Sequence, residues 1–354
     1  MKSIIITPKQ PYSARILEIP KPKFREHEVL VKVLEAGVCT TDREIYQGFY
    51  GEPPIEEDYL IMGHESLGIV ESVGRGVKNI KGGDYVVRTV RRPCIDSCLN
   101  CSSGEQDMCL TGNFLESGIK GLHGIMAEYY ADLPENLVRV KEECKEIGVL
   151  LEPLSFCIKT IKQSKLAQRR MKWDLKKSLI FGAGTIGLLE TFILRSEGIV
   201  TDVVARSKNG NYKSKLVRGV GGNYYSINDI NKLGKYDLII ECSGDSGNIA
   251  RGLKHLDNNG VLCLTSITGG EKTEEYPISS INLDLVLGNK IILGVVNSNY
   301  KDYIEGEKLF SLFESKWPGL LKKMITRRVQ FNSELKTDDL LKQNKEDIKV
   351  VLNF

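Results

Sequence analysis

The chain has 354 residues, of which 41% are hydrophobic and 27% are charged, and its formal net charge is +3. These values are typical of a globular protein of about two domains, and they exclude a disordered chain, a collagen-like repeat and a coiled coil. The balance of charge also argues against binding to nucleic acid or to an anionic membrane. No apolar run approaches the ~18 residues of a membrane span, and the apolar stretch near the start is too short for a signal peptide. We therefore expect a soluble, cytoplasmic protein.

The first domain is predicted to contain residues 1–177, and its part up to about residue 150 to be β-rich, because short strand patterns such as residues 29–34 alternate with glycine and proline. Two candidate metal ligands lie in this part of the chain. Cys39 and His64 are residue types that bind zinc well, and a catalytic zinc keeps one position open for water or substrate. Such a zinc lowers the pKa of a bound alcohol, and the alkoxide can then expel hydride to a nicotinamide.

Four of the nine cysteines form a close group in the sequence. They have the spacing Cys94-x3-Cys98-x2-Cys101-x7-Cys109. Four thiolates in a short loop suit a closed tetrahedral zinc site, whose role is structural because it has no open position. A reducing cytosol argues against the alternative of two disulfides. The remaining residues Cys144, Cys157, Cys242 and Cys263 lie in apolar settings and are predicted to be core residues.

The sequence pattern changes in the second half of the chain. The basic stretch from Lys159 to Lys177 is interpreted as a solvated helix and linker rather than a phosphate-binding patch, since charge runs usually face solvent. Over residues 178–296, short buried runs alternate with helix-length segments, which predicts βαβ units and a parallel sheet. Residues 297–354 are predicted to contain a helix and a final strand and to return to the first domain. We therefore expect a nucleotide domain inserted in a catalytic domain.

A strand, a G-x-G-x-x-G turn and a helix are predicted in succession at the start of this second domain. Gly182 permits the tight turn, Gly184 lets the backbone approach a pyrophosphate, and Gly187 lets helix and strand pack closely. The free N–H groups at the helix start, where Thr185 and Ile186 lie, would hold the anion. The pattern indicates a dinucleotide-binding Rossmann domain.

The end of the next strand distinguishes NAD from NADP. NAD sites place Asp or Glu there to bind the ribose 2′-hydroxyl, but Asp202 precedes the apolar run 203–205 and should start the strand. The strand is followed by Arg206, Ser207 and Lys208, whose two cations and hydroxyl suit a 2′-phosphate. We predict NADP as the cofactor and leave NAD open as a second one.

The run from Gly63 to Val77 fits the pattern G-H-E-x-x-G-x5-G-x-x-V, and the chain thereby resembles the zinc-containing medium-chain alcohol dehydrogenases. The order of zinc site, cysteine group, nucleotide domain and C-terminal return is also similar to that superfamily. A narrower resemblance to the archaeal-type glucose dehydrogenases rests on Arg91-Arg92, Asn113 to Ile119, Leu151 to Leu154, Gly294 to Asn297 and Lys349 to Phe354. The resemblance implies an α/β protein, with a β-rich GroES-like catalytic domain and a doubly wound parallel-sheet nucleotide domain.

The resemblance also implies the ligands of a catalytic zinc. Cys39 and His64 would bind the metal, with Glu65 as a third ligand or close neighbour. Glu152 matches a carboxylate that reaches the metal directly or through water, and carboxylates are acceptable zinc ligands. Asp42 is expected to hold His64 in the right tautomer.

Substrate contacts follow from the same resemblance. Glu116, Glu152 and Asn297 are candidates to bind sugar hydroxyls, and Asn297 is also a candidate cofactor contact. Thr41 matches the hydroxyl that passes the substrate proton toward solvent, which requires a group that donates and accepts together. A site that hydrogen-bonds sugar hydroxyls rejects analogues that lack them.

The chain departs from the family pattern at three places. Many alcohol dehydrogenases have a relay histidine five residues after the zinc cysteine, where this chain has Glu44, so the later proton path is open. Val90 stands where some archaeal glucose dehydrogenases have a sugar-binding Asn, so one hydroxyl contact is expected to be missing. Three residues separate Cys94 from Cys98, one more than in the usual cysteine group of the superfamily.

The leading hypothesis is an aldose 1-dehydrogenase that oxidises D-glucose, or D-galactose, at C1 to the aldonolactone with NADP or NAD. A polyol, threonine or secondary-alcohol dehydrogenase is the alternative within the superfamily. A zinc-dependent nucleic-acid-binding module is the alternative from another class, and the near-neutral charge argues against it. We expect two zinc ions per subunit, one catalytic and one structural, and neither nucleic acid nor membrane as a partner. The resemblance suggests a homo-oligomer, a tetramer.

Overall fold

The computed structural model describes residues 1–267, 277–342 and 344–354. The strands are β1 (Lys2–Ile6), β2 (Arg15–Glu18), β3 (Val29–Val38), β4 (Leu60–Ile61), β5 (Glu65–Val73), β6 (Tyr85–Arg88), β7 (Arg91–Arg92), β8 (Leu115–Ser117), β9 (Gly121–Leu122), β10 (Tyr129–Asp132), β11 (Leu137–Val140), β12 (Lys177–Phe181), β13 (Val200–Ala205), β14 (Asn223–Ser226), β15 (Tyr236–Glu241), β16 (Leu256–Leu264), β17 (Ile291–Gly294), β18 (Ile325–Gln330) and β19 (Lys349–Asn353). The helices are α1 (Thr40–Tyr46), α2 (Leu99–Ser102), α3 (Leu151–Ala167), α4 (Thr185–Ser196), α5 (Tyr212–Gly219), α6 (Gly247–His255), α7 (Ile278–Leu287), α8 (Tyr300–Lys316) and α9 (Thr337–Leu341). Among the described residues, no helix has the length and apolar character to cross a membrane.

The chain divides into two compact units. The first contains residues 1–155, 297–312 and 325–354, and the second contains residues 156–296 and 313–324. The boundary between the units falls within α3 and again within α8. The predicted ranges 1–177, 178–296 and 297–354 instead keep each of these helices in one range. Those domain ranges stay a prediction.

The first unit is built on a seven-stranded sheet. Six strands follow the order β11-β6-β5-β3-β19-β18, and β10 pairs with β3. The long strand β3 has antiparallel neighbours on both sides, and its Gly37 lies opposite Glu65 on β5 and Val351 on β19. Alternate residues of β3 such as Val31 and Val33 are buried in the core of this unit, as the two-residue period of a strand requires. This sheet is the β-rich GroES-like part that the sequence predicts.

The second unit has a parallel sheet of six strands in the order β14-β13-β12-β15-β16-β17. The order reverses at β12, which is the arrangement of a doubly wound dinucleotide-binding sheet. The predicted Rossmann fold is therefore confirmed. The short edge strand β14 lacks the pattern of a buried run, because residues 223–226 read Asn-Tyr-Tyr-Ser.

The basic stretch that begins at Lys159 is only partly solvated. Arg169 and Lys172 are exposed, as expected for a solvent-facing charge run. Lys159, in contrast, is 3% exposed. Its ammonium group donates a 2.8 Å hydrogen bond to the carbonyl of Val296. The solvated interpretation is wrong at this residue, because a long aliphatic stem allows a lysine to be buried when its charged end finds an acceptor.

Candidate metal, substrate and cofactor sites

Helix α1 begins directly after Cys39, which occupies the N-cap position. Oδ2 of Asp42 accepts a 2.8 Å hydrogen bond from the backbone N–H of Cys39. The other oxygen, Oδ1, lies 3.5 Å from Nδ1 of His64. Both atoms are buried and have no hydrogen-bond partner in the described part of the chain. A carboxylate facing Nδ1 orients the imidazole and leaves Nε2 available for a metal.

Three of the predicted metal ligands converge. One ligand atom from each of Cys39, His64 and Glu65 lies within 4.8 Å of the others. Glu65 is the first residue of β5, and His64 is the loop residue just before it. The two neighbours therefore contribute ligand atoms to the same group. Zinc bonds of about 2.0–2.3 Å would let one ion contact three such atoms after small movements. The donor set therefore fits a zinc ion.

Glu65 also has a partner that the sequence motifs did not identify as a site residue. Lys349 on β19 contacts both carboxylate oxygens of Glu65, at 2.7 and 2.5 Å, and both residues are buried. A Cβ added at Gly37 would lie 2.1 Å from Oε2 of Glu65, so a glycine there makes room for the carboxylate. Burial alone would lower the pKa of Lys349, but the charges of Glu65 and Cys39 raise it. In the sequence, Lys349 stands out only as the first residue of the motif from Lys349 to Phe354.

Glu152 lies in the first turn of α3. Burial raises its pKa to about 7, the charge of His64 lowers it, and the charge of Glu65 raises it further. Among the described residues, the close ligand group contains Glu65 and not Glu152. Glu152 is therefore near enough to interact electrostatically with this group.

Two of the predicted sugar-binding residues, Glu116 and Asn297, come together in the first unit. Nδ2 of Asn297 donates a 2.8 Å hydrogen bond to Oε1 of Glu116. The guanidinium of Arg91, a residue noted only as part of a motif, binds the same oxygen at 2.9–3.0 Å. Asn297 has a φ of +57°, in the left-handed region that Asn tolerates better than most residues. Thr41 is the second residue of α1 and is partly exposed.

The four clustered cysteines form a compact group of sulfurs. All four Sγ atoms lie within 4.8 Å of one another, and those of Cys98 and Cys109 are 3.9 Å apart. A tetrahedral zinc with bonds of about 2.3 Å separates its sulfur ligands by about 3.8 Å. Backbone N–H groups of Cys94, Cys98 and Leu110 donate to three of the sulfurs at 3.4–3.5 Å. The extra residue is absorbed in the turn 95–97, where Ser97 has a φ of +48°.

The glycine-rich turn has the geometry that the sequence predicts. Gly182 follows β12 with a φ of +118°. A Cβ at Gly187 would lie 2.1 Å from the carbonyl oxygen of Gly182, so helix and strand approach closely. At Gly184, the N-cap of α4, an added Cβ would meet no described atom within 4 Å. Thr185 and Ile186 form the first turn of α4. The open space beside Gly184 fits a pyrophosphate held by the helix N-terminus.

The residues after β13 are those that the sequence predicts to bind a cofactor phosphate. Arg206, Ser207 and Lys208 are exposed, and the carbonyl of Ser207 accepts a 3.0 Å hydrogen bond from the hydroxyl of Tyr224. Asp202 is the third residue of β13, not its first. Its carboxylate accepts hydrogen bonds from Tyr236 at 2.6 Å and Asn223 at 2.8 Å. These hydrogen bonds hold the carboxylate of Asp202 within the sheet, as expected if Asp202 does not bind a ribose.

Comparisons with known proteins agree with this geometry. Residues 25–142 match the alcohol dehydrogenase GroES-like domain, and residues 145–354 match the glucose dehydrogenase C-terminus. A glucose 1-dehydrogenase of Methanocella arvoryzae is 40% identical, over 100% of this chain and 99% of that protein. A glucose 1-dehydrogenase of Thermoproteus tenax is 36% identical, over 99% of each chain.

A solved structure is also similar over its full length. It is the glucose dehydrogenase of Haloferax mediterranei in complex with NADP, Zn and gluconolactone. The TM-score is 0.90 with 26% sequence identity, and the match covers 100% of this chain and 99% of that chain. The region that matches the GroES-like domain includes all four clustered cysteines.

Proposed function

This chain belongs to the glucose dehydrogenase family of the zinc-dependent alcohol dehydrogenases, and from that premise we propose that it oxidises D-glucose at C1 to the aldonolactone and passes hydride to NADP. The observation that carries the proposal is the convergence of Cys39, His64 and Glu65, which fits a zinc ion in a chain of this family. D-galactose is the second sugar of the proposal, and NAD is the second cofactor.

Two zinc ions per subunit form part of the proposal. Cys39, His64 and Glu65 would hold one, with Glu152 as an additional or alternative carboxylate, and the four-cysteine group would hold the other. A catalytic zinc supplies Lewis-acid chemistry, which lowers the pKa of an alcohol. The cysteine group has no free position and would stabilise the loop between Cys94 and Cys109.

The residues of the chain then have distinct tasks. Glu116 and Asn297 bind sugar hydroxyls and thereby orient C1. Thr41 accepts the proton of the reacting hydroxyl while C1 gives its hydride to the nicotinamide, so the sugar loses two electrons and two hydrogens. Asp42 keeps His64 oriented. Fixed polar groups of this kind accelerate a reaction because they need no reorganisation when charge develops.

Cofactor binding is assigned to the second unit. The open backbone at Gly184 and Gly187 would receive the pyrophosphate. Arg206 and Lys208 would bind the 2′-phosphate by charge-assisted hydrogen bonds, with the hydroxyl of Ser207. A sugar is the proposed small-molecule partner, and a homo-oligomer, a tetramer by resemblance, is the proposed assembly.

A turnover panel on zinc-replete protein tests the reaction. We expect D-glucose with NADP to give the highest kcat/KM among glucose, galactose, xylose, sorbitol, threonine and ethanol, with gluconolactone as the product by mass spectrometry. Preference for sorbitol, threonine or ethanol would assign the chain to the polyol or secondary-alcohol branch instead.

Zinc content provides a separate test of the two metal sites. We expect wild-type protein to contain two zinc ions per subunit, and Cys39→Ser and Cys101→Ser to lose one each. Cys39→Ser should have no turnover but normal NADP affinity. Cys144→Ala is the matched control, since Cys144 is buried outside both groups, and it should retain both ions. Two ions in Cys101→Ser would contradict the structural site.

A further inference from the structure

We propose that Tyr50 and Glu44 form the outer part of a proton relay that starts at Thr41, so that the proton of the sugar hydroxyl leaves through Thr41, Tyr50 and Glu44 in turn. The inference rests on the proposed dehydrogenase function. It concerns the path of the proton after Thr41, which the absence of the usual relay histidine leaves open.

The first observation is the placement of Thr41 and Glu44 on helix α1. They are three residues apart, and such residues lie on the same face of an α-helix. Glu44 is partly exposed, so its carboxylate is able to exchange a proton with solvent. It stands at the position where many relatives in the superfamily place a histidine, and a carboxylate can accept a proton as an imidazole can.

The second observation is the position of Tyr50. The chain leaves α1 through Gly48, whose φ of +83° turns the backbone. The hydroxyl of Tyr50 then donates a 2.6 Å hydrogen bond to Oε2 of Glu44. A hydroxyl that donates to a carboxylate can still accept a hydrogen bond from another group.

The proposed donor is Thr41, which lies on the same face of α1 as Glu44, the acceptor of the Tyr50 hydroxyl. Burial and the hydrogen bond to Glu44 raise the pKa of Tyr50, while a hydrogen bond from the Thr41 side chain lowers it. The phenol therefore stays protonated and donates to Glu44, which leaves its oxygen able to accept from Thr41 in the proposed relay. In the proposed relay, Thr41 donates to Tyr50 and Tyr50 donates to Glu44. Hydrogen bonds in this direction allow a proton to move from the substrate toward solvent.

The transfer balances without another reactant. The sugar hydroxyl gives its proton to the Thr41 oxygen as the hydride leaves C1. The proton of Thr41 passes to the oxygen of Tyr50, and the proton of Tyr50 passes to the carboxylate of Glu44. Glu44 then releases one proton to water, and the two hydroxyls end as they began. In the reverse reaction the same three side chains deliver a proton to the substrate.

A purely structural role for Tyr50 is the competing explanation, because its ring packs against the core of the first unit. Tyr50→Phe keeps the ring and removes the hydroxyl. Glu44→Gln keeps an acceptor for the hydroxyl but cannot take a proton. Glu44→His restores a group that can. Tyr12→Phe is the matched control, since Tyr12 is 67% exposed in the same unit.

The test is the single-turnover rate of glucose oxidation by zinc-loaded enzyme with NADP, which product release does not mask. We expect Tyr50→Phe and Glu44→Gln to lower this rate at least tenfold, since proton transfer contributes roughly 10²–10⁴ to rates. KM for glucose and zinc content should stay unchanged. Glu44→His should be several-fold faster than Glu44→Gln, and Tyr12→Phe should match the wild type.

A second readout does not depend on activity. In protein labelled with ¹³C at Cζ of tyrosine, the Tyr50 resonance is identified by its loss in Tyr50→Phe, and we expect it to shift in Glu44→Gln. Wild-type rates in Tyr50→Phe and Glu44→Gln, or a Glu44→His variant as slow as Glu44→Gln, would overturn the relay. Absence of glucose turnover in the wild type would instead overturn the proposed function, and the resonance would still report the Tyr50–Glu44 contact.

Discussion

Asn297 donates a hydrogen bond to Glu116 over a distance of 2.8 Å, although 181 positions separate them in the chain. Arg91 binds the same carboxylate from the other side. The carboxylate of Glu116 is therefore held by two neighbours, and a preorganised polar group discriminates between substrates better than a mobile one.

Glu116→Gln is expected to weaken sugar binding. The amide keeps the shape but loses the charge that strengthens hydrogen bonds to hydroxyls, and one such bond contributes about 1–3 kcal/mol. KM for glucose should rise about tenfold, with the Kd for NADP unchanged. Glu135→Gln, at an exposed position of the same unit, should have no effect. An altered Kd for NADP with a normal KM for glucose would contradict the sugar role.

Lys349→Met should destabilise the first unit. The substitution leaves the carboxylate of Glu65 buried without its cation, which typically costs about 3–5 kcal/mol. Urea unfolding of metal-free protein measures the effect, and added zinc should reduce it by supplying positive charge. Lys145→Met removes an exposed pair with Glu142 and should leave the free energy of unfolding nearly unchanged. Equal losses in the two variants would rule out a special role for Lys349.

Arg206→Asp is expected to change the cofactor preference toward NAD. The variant loses one charge-assisted hydrogen bond to the 2′-phosphate and adds a repulsive carboxylate, so the ratio of kcat/KM for NADP to that for NAD should fall by tenfold or more. Arg169→Asp makes the same change of charge at an exposed position after α3 and is the control. An unchanged ratio in Arg206→Asp would remove this residue from the phosphate site.

Glu190 on α4 should give the second unit a pH-dependent stability. It is fully buried, and burial together with the charge of Glu241 raises its pKa well above the ordinary 4.5, while Cys242 lowers it in part. The folded chain thus favours the neutral acid. Its contribution to stability is complete below pH 4.5 and is lost as pH rises toward the folded pKa.

Glu190→Gln removes this titration. The free energy of unfolding of the variant relative to the wild type should increase with pH, by up to about 1.4 kcal/mol per pH unit above the ordinary pKa. Urea unfolding between pH 5 and pH 8 measures the difference, and Glu197→Gln, near the exposed end of the same helix, is the control. Parallel stability profiles for Glu190→Gln and wild type would contradict the expectation.

Local patterns predicted most of the fold and the composition of the sites. The glycine turn, the four-cysteine spacing and the neighbours His64 and Glu65 are short-range features, and a short run of residues is enough to identify them. The strand β14 was missed because an edge strand with polar residues lacks the apolar run on which the prediction depends.

The contacts that the sequence did not reveal join distant parts of the chain or depend on a turn of the backbone. The partner of Glu65 is 284 positions away, and its identification requires the strand order of the sheet. The hydrogen bond between Tyr50 and Glu44 depends on the turn at Gly48, which no motif marks. Burial of Lys159 depends on a carbonyl 137 positions away.

The position of β19 between β3 and β18 has a consequence for the order of folding during synthesis. Strand β3 is made early, but β19, which covers residues 35–38 at the end of one of its edges, is made only after the whole second unit. Until then this end of the edge has unpaired backbone groups, which favour aggregation, and Glu65 lacks its cation. We therefore expect nascent chains that stop before residue 349 to fold the nucleotide-binding unit first and to depend on chaperones to protect the other.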